Sequence, residues 1–258
     1  MTSGFMATGC AARHHVVTGA ATGIGAAIAS RLVAAGARVT GAGLDVEAGQ
    51  AMATQLSGGD GAFEFVGLDV TDENAVVRFF ANLDPIDGLV NCAGIYPPDQ
   101  RLEDVSVESF RRVLEVNLVG TFLTCRSALP LLRSSGGGSI VNISSVHAVA
   151  GAPGQGAYAA SKGAITSLTR QIAVEYASDS IRANSILVGS VDTRITRATI
   201  AAAGSAAGLS LSSDPQALGR IADPAEIAGI VAFLLSDDSS FITASALLAD
   251  GGLTAKIL

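Results

Sequence analysis

The chain has 258 residues, 49% of them hydrophobic, enough to bury the core of one large α/β domain. Sixteen basic against 23 acidic residues leave a net charge of −7 with no dense Lys/Arg run, which argues against nucleic acid or an anionic membrane as partner. No uninterrupted apolar stretch reaches the length of a bilayer span, and Cys10, Cys92 and Cys125 are too few and scattered for a disulfide framework or a metal site, so reduced thiols in a cytoplasmic setting are expected.

Residues 1–13 are small and mixed, without the basic start and continuous apolar run of a secretory signal, and are expected to form a flexible leader. From residue 14 to 258, short Val/Ile/Leu runs alternate with longer segments of helical period, the pattern of parallel strands buried on both faces. One doubly wound α/β domain follows, with a seven-stranded parallel sheet flanked by helices. The first strand, 15–18, runs into Thr18, Gly19, Ala20, Ala21, Thr22, Gly23, Ile24, Gly25 and an Ala-rich helix over 24–35. Glycines in such a turn bend the chain sharply, let backbone approach a pyrophosphate, and let helix pack on strand, while the helix N-terminus offers free N–H groups to the anion. Three residues separate the first two glycines, so the spacing departs from GxGxxG, but the strand before and the helix after are in place.

Next come a strand at 38–42, a helix at 47–56, a strand at 63–68, a helix at 73–82, a strand at 88–91 and one long helical stretch at 106–132. The strand at 139–143 leads into Ser144 and Ser145, and a helix at 157–177 begins with Tyr158, Ala159, Ala160, Ser161, Lys162. Positions i and i+4 share a helix face, so the phenol and the ammonium point into the same space, where the positive charge is expected to lower the tyrosine pKa. A tyrosine so tuned exchanges protons near neutral pH. After a strand at 182–187 the segment 193–218 fits no simple period and is expected to be a mobile helical flap. A helix at 224–236, capped by Asp223 and opened by Pro224, and a strand at 246–248 close the domain.

With these residues placed, the chain resembles the short-chain dehydrogenase/reductase (SDR) family, with its Rossmann-type fold, over nearly everything from His15 onward. The resemblance rests on the turn Thr18 to Gly25, on Asp69 and Val70, on Asn91, Cys92, Ala93, Gly94 where the family usually has Asn, Asn, Ala, Gly, and on Asn117. It continues through Ser144 and Ser145, Tyr158 and Lys162, the run Val191, Asp192, Thr193, and Asp250, Gly251, Gly252 near the end. It implies a catalytic set of Asn117, Ser145, Tyr158 and Lys162: Tyr158 as acid/base, Ser145 as donor to the reacting oxygen, Lys162 tuning the phenol and bonding the nicotinamide ribose, Asn117 holding a water that links the lysine to solvent. Ser145 takes the catalytic position by its spacing to Tyr158, and Ser144 is read as structural. The implied cofactor contacts are Gly19, Thr22, Gly23, Ile24, Gly25, Asp45, Asp69, Val70, Asn91, Ala93, Gly94, Tyr158, Lys162, Val191 and Thr193.

Departures from the family pattern are informative. Gly43 stands where family members that prefer NAD carry an acid, and Asp45, two residues on, could turn back to the ribose or simply cap the helix near Glu47. No basic residue occupies 43, 44 or 20–22, so NAD is the expected cofactor, with NADP the alternative. Val188 replaces the usual proline before Gly189, losing a fixed φ. Ala244 replaces a usual glycine, so a positive φ there would be strained.

Loops at 95–101 and 146–155 and the segment from Arg194 onward are expected to contact substrate. They are mostly apolar, which favours an uncharged secondary alcohol or ketone. His147 reads as either a substrate ligand or a packing residue. Arg194, Arg197 and Lys256 read as surface charge or as ligands of an anionic group. The helical stretches 106–132 and 157–177 are too apolar for free surfaces, and the resemblance implies a homotetramer. The leading reading is an NAD(P)-dependent oxidoreductase acting on a secondary alcohol or ketone. The alternatives are an NADPH-dependent 3-oxoacyl thioester reductase, disfavoured by the acidic chain, and a non-catalytic dinucleotide-binding sensor or scaffold.

Overall fold

The structure is a computed structural model that describes residues 8–203 and 216–256. Among the described residues the strands are β1 (His14–Thr18), β2 (Arg38–Gly43), β3 (Ala62–Gly67), β4 (Gly88–Asn91), β5 (Gly138–Ser145), β6 (Ile181–Val188) and β7 (Ala246–Ala249). They form one sheet, parallel throughout, in the order β3-β2-β1-β4-β5-β6-β7. The α-helices are α1 (Gly23–Ala34), α2 (Val46–Gln55), α3 (Glu73–Ala81), α4 (Val107–Leu114), α5 (Gly120–Ser134), α6 (Gly156–Glu175), α7 (Arg194–Ala203) and α8 (Pro224–Leu235).

Period-2 alternation explains the continuous apolar strands. Val17, Val90 and Val141 face the layer of α1 and α8, where they meet Ile28, Leu32, Val231 and Leu234. Their neighbours Val16, Leu89 and Ile140 face the opposite layer, with Phe79 and Phe80 of α3 and Leu123 and Leu129 of α5. Each such side chain contributes about 1.5–3 kcal/mol by leaving water, so both faces must be covered, as a parallel sheet requires.

The topology also places the site. From β1 the chain winds outward through β2 and β3, then returns to the other side of β1 as β4, so the loops leaving β1 and β4 diverge and open a crevice at their carboxyl ends. Register sets Thr18 level with Asn91, and Asn91 level with Asn142. Beyond that level β5 runs on to Ser145, paired with Val188 of β6.

Two expectations change. The stretch 106–132 is not one helix: a π-helical turn, Glu115–Val119, separates α4 from α5, for a reason given by Asn117 below. Of the leader expected over 1–13, residues 1–7 lie outside the described residues, whereas within 8–13 Cys10 is buried in the α1/α8 layer and Arg13 pairs with Asp237 at 2.6 Å. Of the flap expected over 193–218, α7 is helical and residues 204–215 lie outside the described residues. Ala244 does take a left-handed backbone, with φ +59. Asp223 caps α8 as expected, in a reciprocal capping box with Glu226.

Candidate active site

The crevice at the sheet's carboxyl edge holds a cleft of about 730 Å³, lined in part by Gly19, Gly23, Ser145, Tyr158, Lys162 and Thr193. That is the size of a typical small-molecule site. Its floor is the turn after β1. Gly19 adopts φ +67, which only glycine holds without strain, and a Cβ on Gly25 would overlap the carbonyl oxygen of Gly19. Thr18 Oγ1 accepts from the N–H groups of Cys92 and Ala93, both at 3.2 Å, and so ties this turn to the end of β4. The N-cap of α1, Thr22, makes no side-chain capping bond, so it does not occupy the first-turn N–H groups. Donors at a helix N-terminus and a side-chain-free backbone cradle fit the pyrophosphate of a dinucleotide.

Across the cleft, α6 and the end of β5 bring Tyr158, Lys162 and Ser145 together. The Ser145 side chain, which accepts from His147 N–H at 3.3 Å, lies beside the Tyr158 hydroxyl and favours its ionised form. Lys162 Nζ lies 5.6 Å from the Tyr158 ring centroid and donates to the carbonyl of Ile143 at 2.8 Å. The expected lowering of the phenol pKa is reversed: burial pushes Tyr158 up to about 12, against the opposing pull of the Ser145 side chain. Burial likewise pulls Lys162 down to about 8. The ammonium is turned to Ile143, and burial is the largest cause of both shifts. Ser144 is structural, as expected, its hydroxyl bonded to the Lys162 carbonyl at 2.9 Å and to Thr166 at 3.0 Å.

Asn117 sits in the π-helical turn with both amide protons and its oxygen engaged. Its Oδ1 accepts from Ile95 N–H at 2.8 Å, and Nδ2 donates to the Ile95 carbonyl at 3.0 Å and to Ser161 at 3.1 Å. Its side chain clamps the loop that borders Lys162, and the local widening of the helix lets it reach. Asn91 also turns inward: its amide bonds Asn142 at 2.9 Å and accepts from Thr124 at 2.6 Å, away from the cleft. Asp45 proves to be a helix cap, accepting from Ala48 N–H at 3.2 Å on an exposed face. Asp69 accepts from both the N–H and the hydroxyl of Thr71 in a tight turn, which holds its carboxyl below the usual range, and Val70 is buried against Gly120. Thr22, Ile24, Ala93, Gly94 and Val191 do line the cleft. Thr193 lies there too, its hydroxyl accepting from Thr196 N–H at the start of α7.

Beside His147, which the sequence left open between substrate ligand and packing residue, several lining residues were not singled out by sequence. The Tyr96 ring meets Tyr158 edge-on at 4.8 Å between centroids, and the ring of His147 does so at 5.6 Å. Asp99 and Gln155 hydrogen-bond to each other on the same wall. Their loops were marked as substrate-facing, but no spacing distinguishes these residues from their neighbours. Arg194 borders the cleft, whereas Arg197 forms a two-bond pair with Asp192 at 2.6 and 2.7 Å.

Residues 19–254 match a family model described as enoyl-(acyl carrier protein) reductase. The chain is 38% identical over 245 residues to a cyclopentanol dehydrogenase of Comamonas testosteroni, covering 93% of this chain and 96% of that protein. It is also 38% identical over 256 residues to a cis-4-hydroxycyclohexanecarboxylate dehydrogenase of Sinomonas cyclohexanicum, covering 95% and 98%. A solved structure described as a short chain dehydrogenase/reductase family protein superposes with a TM-score of 0.85 at 35% identity, covering 95% of this chain and 99% of that one.

Proposed function

Because the chain belongs to the short-chain dehydrogenase/reductase family and is a nicotinamide-dependent oxidoreductase of secondary alcohols, we propose that it works with NAD on an uncharged alcohol or ketone, with Tyr158 as its acid/base. The observation that carries this reading is that Tyr158, Ser145 and Lys162 line the same cleft as the glycine turn Gly19, Gly23 and Gly25. A nicotinamide bound there supplies the hydride acceptor for oxidation and the donor for reduction.

The chain's own groups handle the proton. Tyr158 gives it to, or takes it from, the reacting oxygen, and Ser145 donates a hydrogen bond to that same oxygen. Burial keeps the phenol protonated at neutral pH, which suits donation to a carbonyl. Lys162, fixed by Ile143, keeps a positive charge beside the cleft below pH about 8. Asn117 acts as a positioning residue through Ile95. Gly19, Thr22, Gly23, Ile24 and Gly25 would hold the pyrophosphate; Ala93, Gly94, Val191 and Thr193 would border the nicotinamide half. NAD is favoured over NADP because positions 20–22, 43 and 44 carry no cation to neutralise a 2′-phosphate.

Relatives named for cyclopentanol and for a hydroxycyclohexanecarboxylate support an alicyclic secondary alcohol as substrate class. The test is absorbance at the nicotinamide band with NAD or NADP and a panel of alicyclic alcohols and ketones. Turnover with NAD is expected; tight cofactor binding without turnover of any panel member would favour a sensor, and strict use of NADP would overturn the cofactor assignment. Free cysteines at 10, 92 and 125 accord with a cytoplasmic setting. Exposed Phe122 on α5 and Val174 on α6 accord with a homotetramer. Light scattering should then give four times the 25.8 kDa chain mass, and a monomer mass would refute the assembly.

A further inference from the structure

The loops that follow β4 and β5 are locked together over the cleft. Gln100 N–H donates to the Gly154 carbonyl at 3.1 Å, and Gly154, at φ +83, comes so close that a Cβ there would lie 2.9 Å from Asp99 Cβ. Beside this junction Gln155, only 2% exposed, donates its Nε2 to Asp99 Oδ1. A carboxylate can only accept, so Asp99 fixes which way the amide points and leaves Oε1 on the other side. That oxygen is buried without a partner, as is Nδ1 of His147 on the same cleft wall. Each unmet buried polar atom is costly in the free protein, and a hydrogen-bonding ligand would relieve it.

We propose that Asp99, Gln155 and His147 form a second polar pole of the cleft that receives a second hydroxyl of the substrate, which makes a diol or cyclic polyol the preferred alcohol. The proposal deepens the oxidoreductase reading and rests on it for the identity of the reacting group. The His147 ring touches the Tyr158 ring edge-on, so this pole lies one aromatic width from the acid/base, a span that a small ring bearing two hydroxyls bridges. The pole is rich in acceptors. Gln155 Oε1 and the Asp99 carboxylate accept only, and His147 is held towards its neutral form because burial outweighs the pull of Asp99. The charge of Asp99 also reaches Tyr96, raising its pKa after the larger effect of burial. A hydroxyl brings the proton such a pole needs. A carboxylate brings only further acceptors and a like charge, so the same wall discriminates against hydroxy acids.

Calorimetric titration of the NAD-saturated protein with 1,4-cyclohexanediol, cyclohexanol and cis-4-hydroxycyclohexanecarboxylate tests the pole, with initial rates measured for all three. The diol should bind at least tenfold more tightly than cyclohexanol, and the carboxylate most weakly. Gln155→Met should cut the diol-to-cyclohexanol affinity ratio to below threefold. Asp99→Asn alters an exposed side chain and frees the Gln155 amide to turn over; it should lower that ratio at least threefold and improve carboxylate binding, so it decides the matter should Gln155→Met fail to fold. Equal affinity for diol and cyclohexanol in the unmodified protein, or a diol advantage that survives Asp99→Asn, would overturn the proposal. Preferential diol binding without turnover would uphold the pole and refute the oxidoreductase reading. Turnover without diol preference would do the reverse.

Discussion

A buried side chain obeys its surroundings more than its sequence neighbours. The i to i+4 spacing placed Tyr158 and Lys162 near one another, yet it gave the wrong sign for the phenol's shift, because the ammonium is turned to Ile143 and desolvation by burial is the largest cause. The sequence left Asp45 open between a ribose contact and a helix cap, and its side chain caps α2, while Asn91, expected at the cofactor, joins an interior amide network. His15 is the most exposed to this logic. It lies fully buried in β1 with neither ring nitrogen bonded, and burial pulls its pKa down to about 3. Below pH 6.5 the unfolded chain binds a proton that the folded chain refuses, so stability falls with pH across the window from 6.5 to 3. Between pH 7 and pH 5 this one group accounts for a loss of about 2 kcal/mol. Urea unfolding of His15→Leu should show a correspondingly smaller loss over that interval than the unmodified protein; equal losses would contradict the assignment.

Among elements, the strands were legible because parallel strands covered on both faces must be apolar throughout, and α8 because Asp223 and Pro224 mark its start. The break between α4 and α5 was hidden, since helical period continues through Glu115–Val119 and only the contacts of Asn117 with Ile95 and Ser161 require a wider turn there. The expected strain before β7 is present. Ala244 holds φ +59 while its N–H donates to Ala183 at 2.8 Å, so the left-handed conformation is maintained by the β6 to β7 connection. A left-handed alanine costs about 1–2 kcal/mol, part of which glycine returns as greater freedom when unfolded. Ala244→Gly should therefore stabilise the protein by roughly 0.5–1 kcal/mol, seen as a higher thermal midpoint. A lowered midpoint would show that the methyl's packing matters more than the backbone strain.

At the scale of the whole molecule, the sheet order turns scattered residues into one site. Only the return of β4 beside β1 brings the cradle at Gly19 and Gly25 opposite the end of β5, and only α6 packing behind β5 sets Tyr158 against Ser145. Cofactor binding and proton transfer are thus assigned to separate walls of one cleft, the first to the β1 turn and the second to α6. Tyr158→Phe separates them most directly. Titration of the purified variant with NADH, followed by fluorescence, should give a dissociation constant within about threefold of the unmodified protein's, while turnover of the best alcohol falls by roughly the 10²–10⁴-fold that a positioned acid/base supplies. A variant that keeps most of its rate would contradict the account.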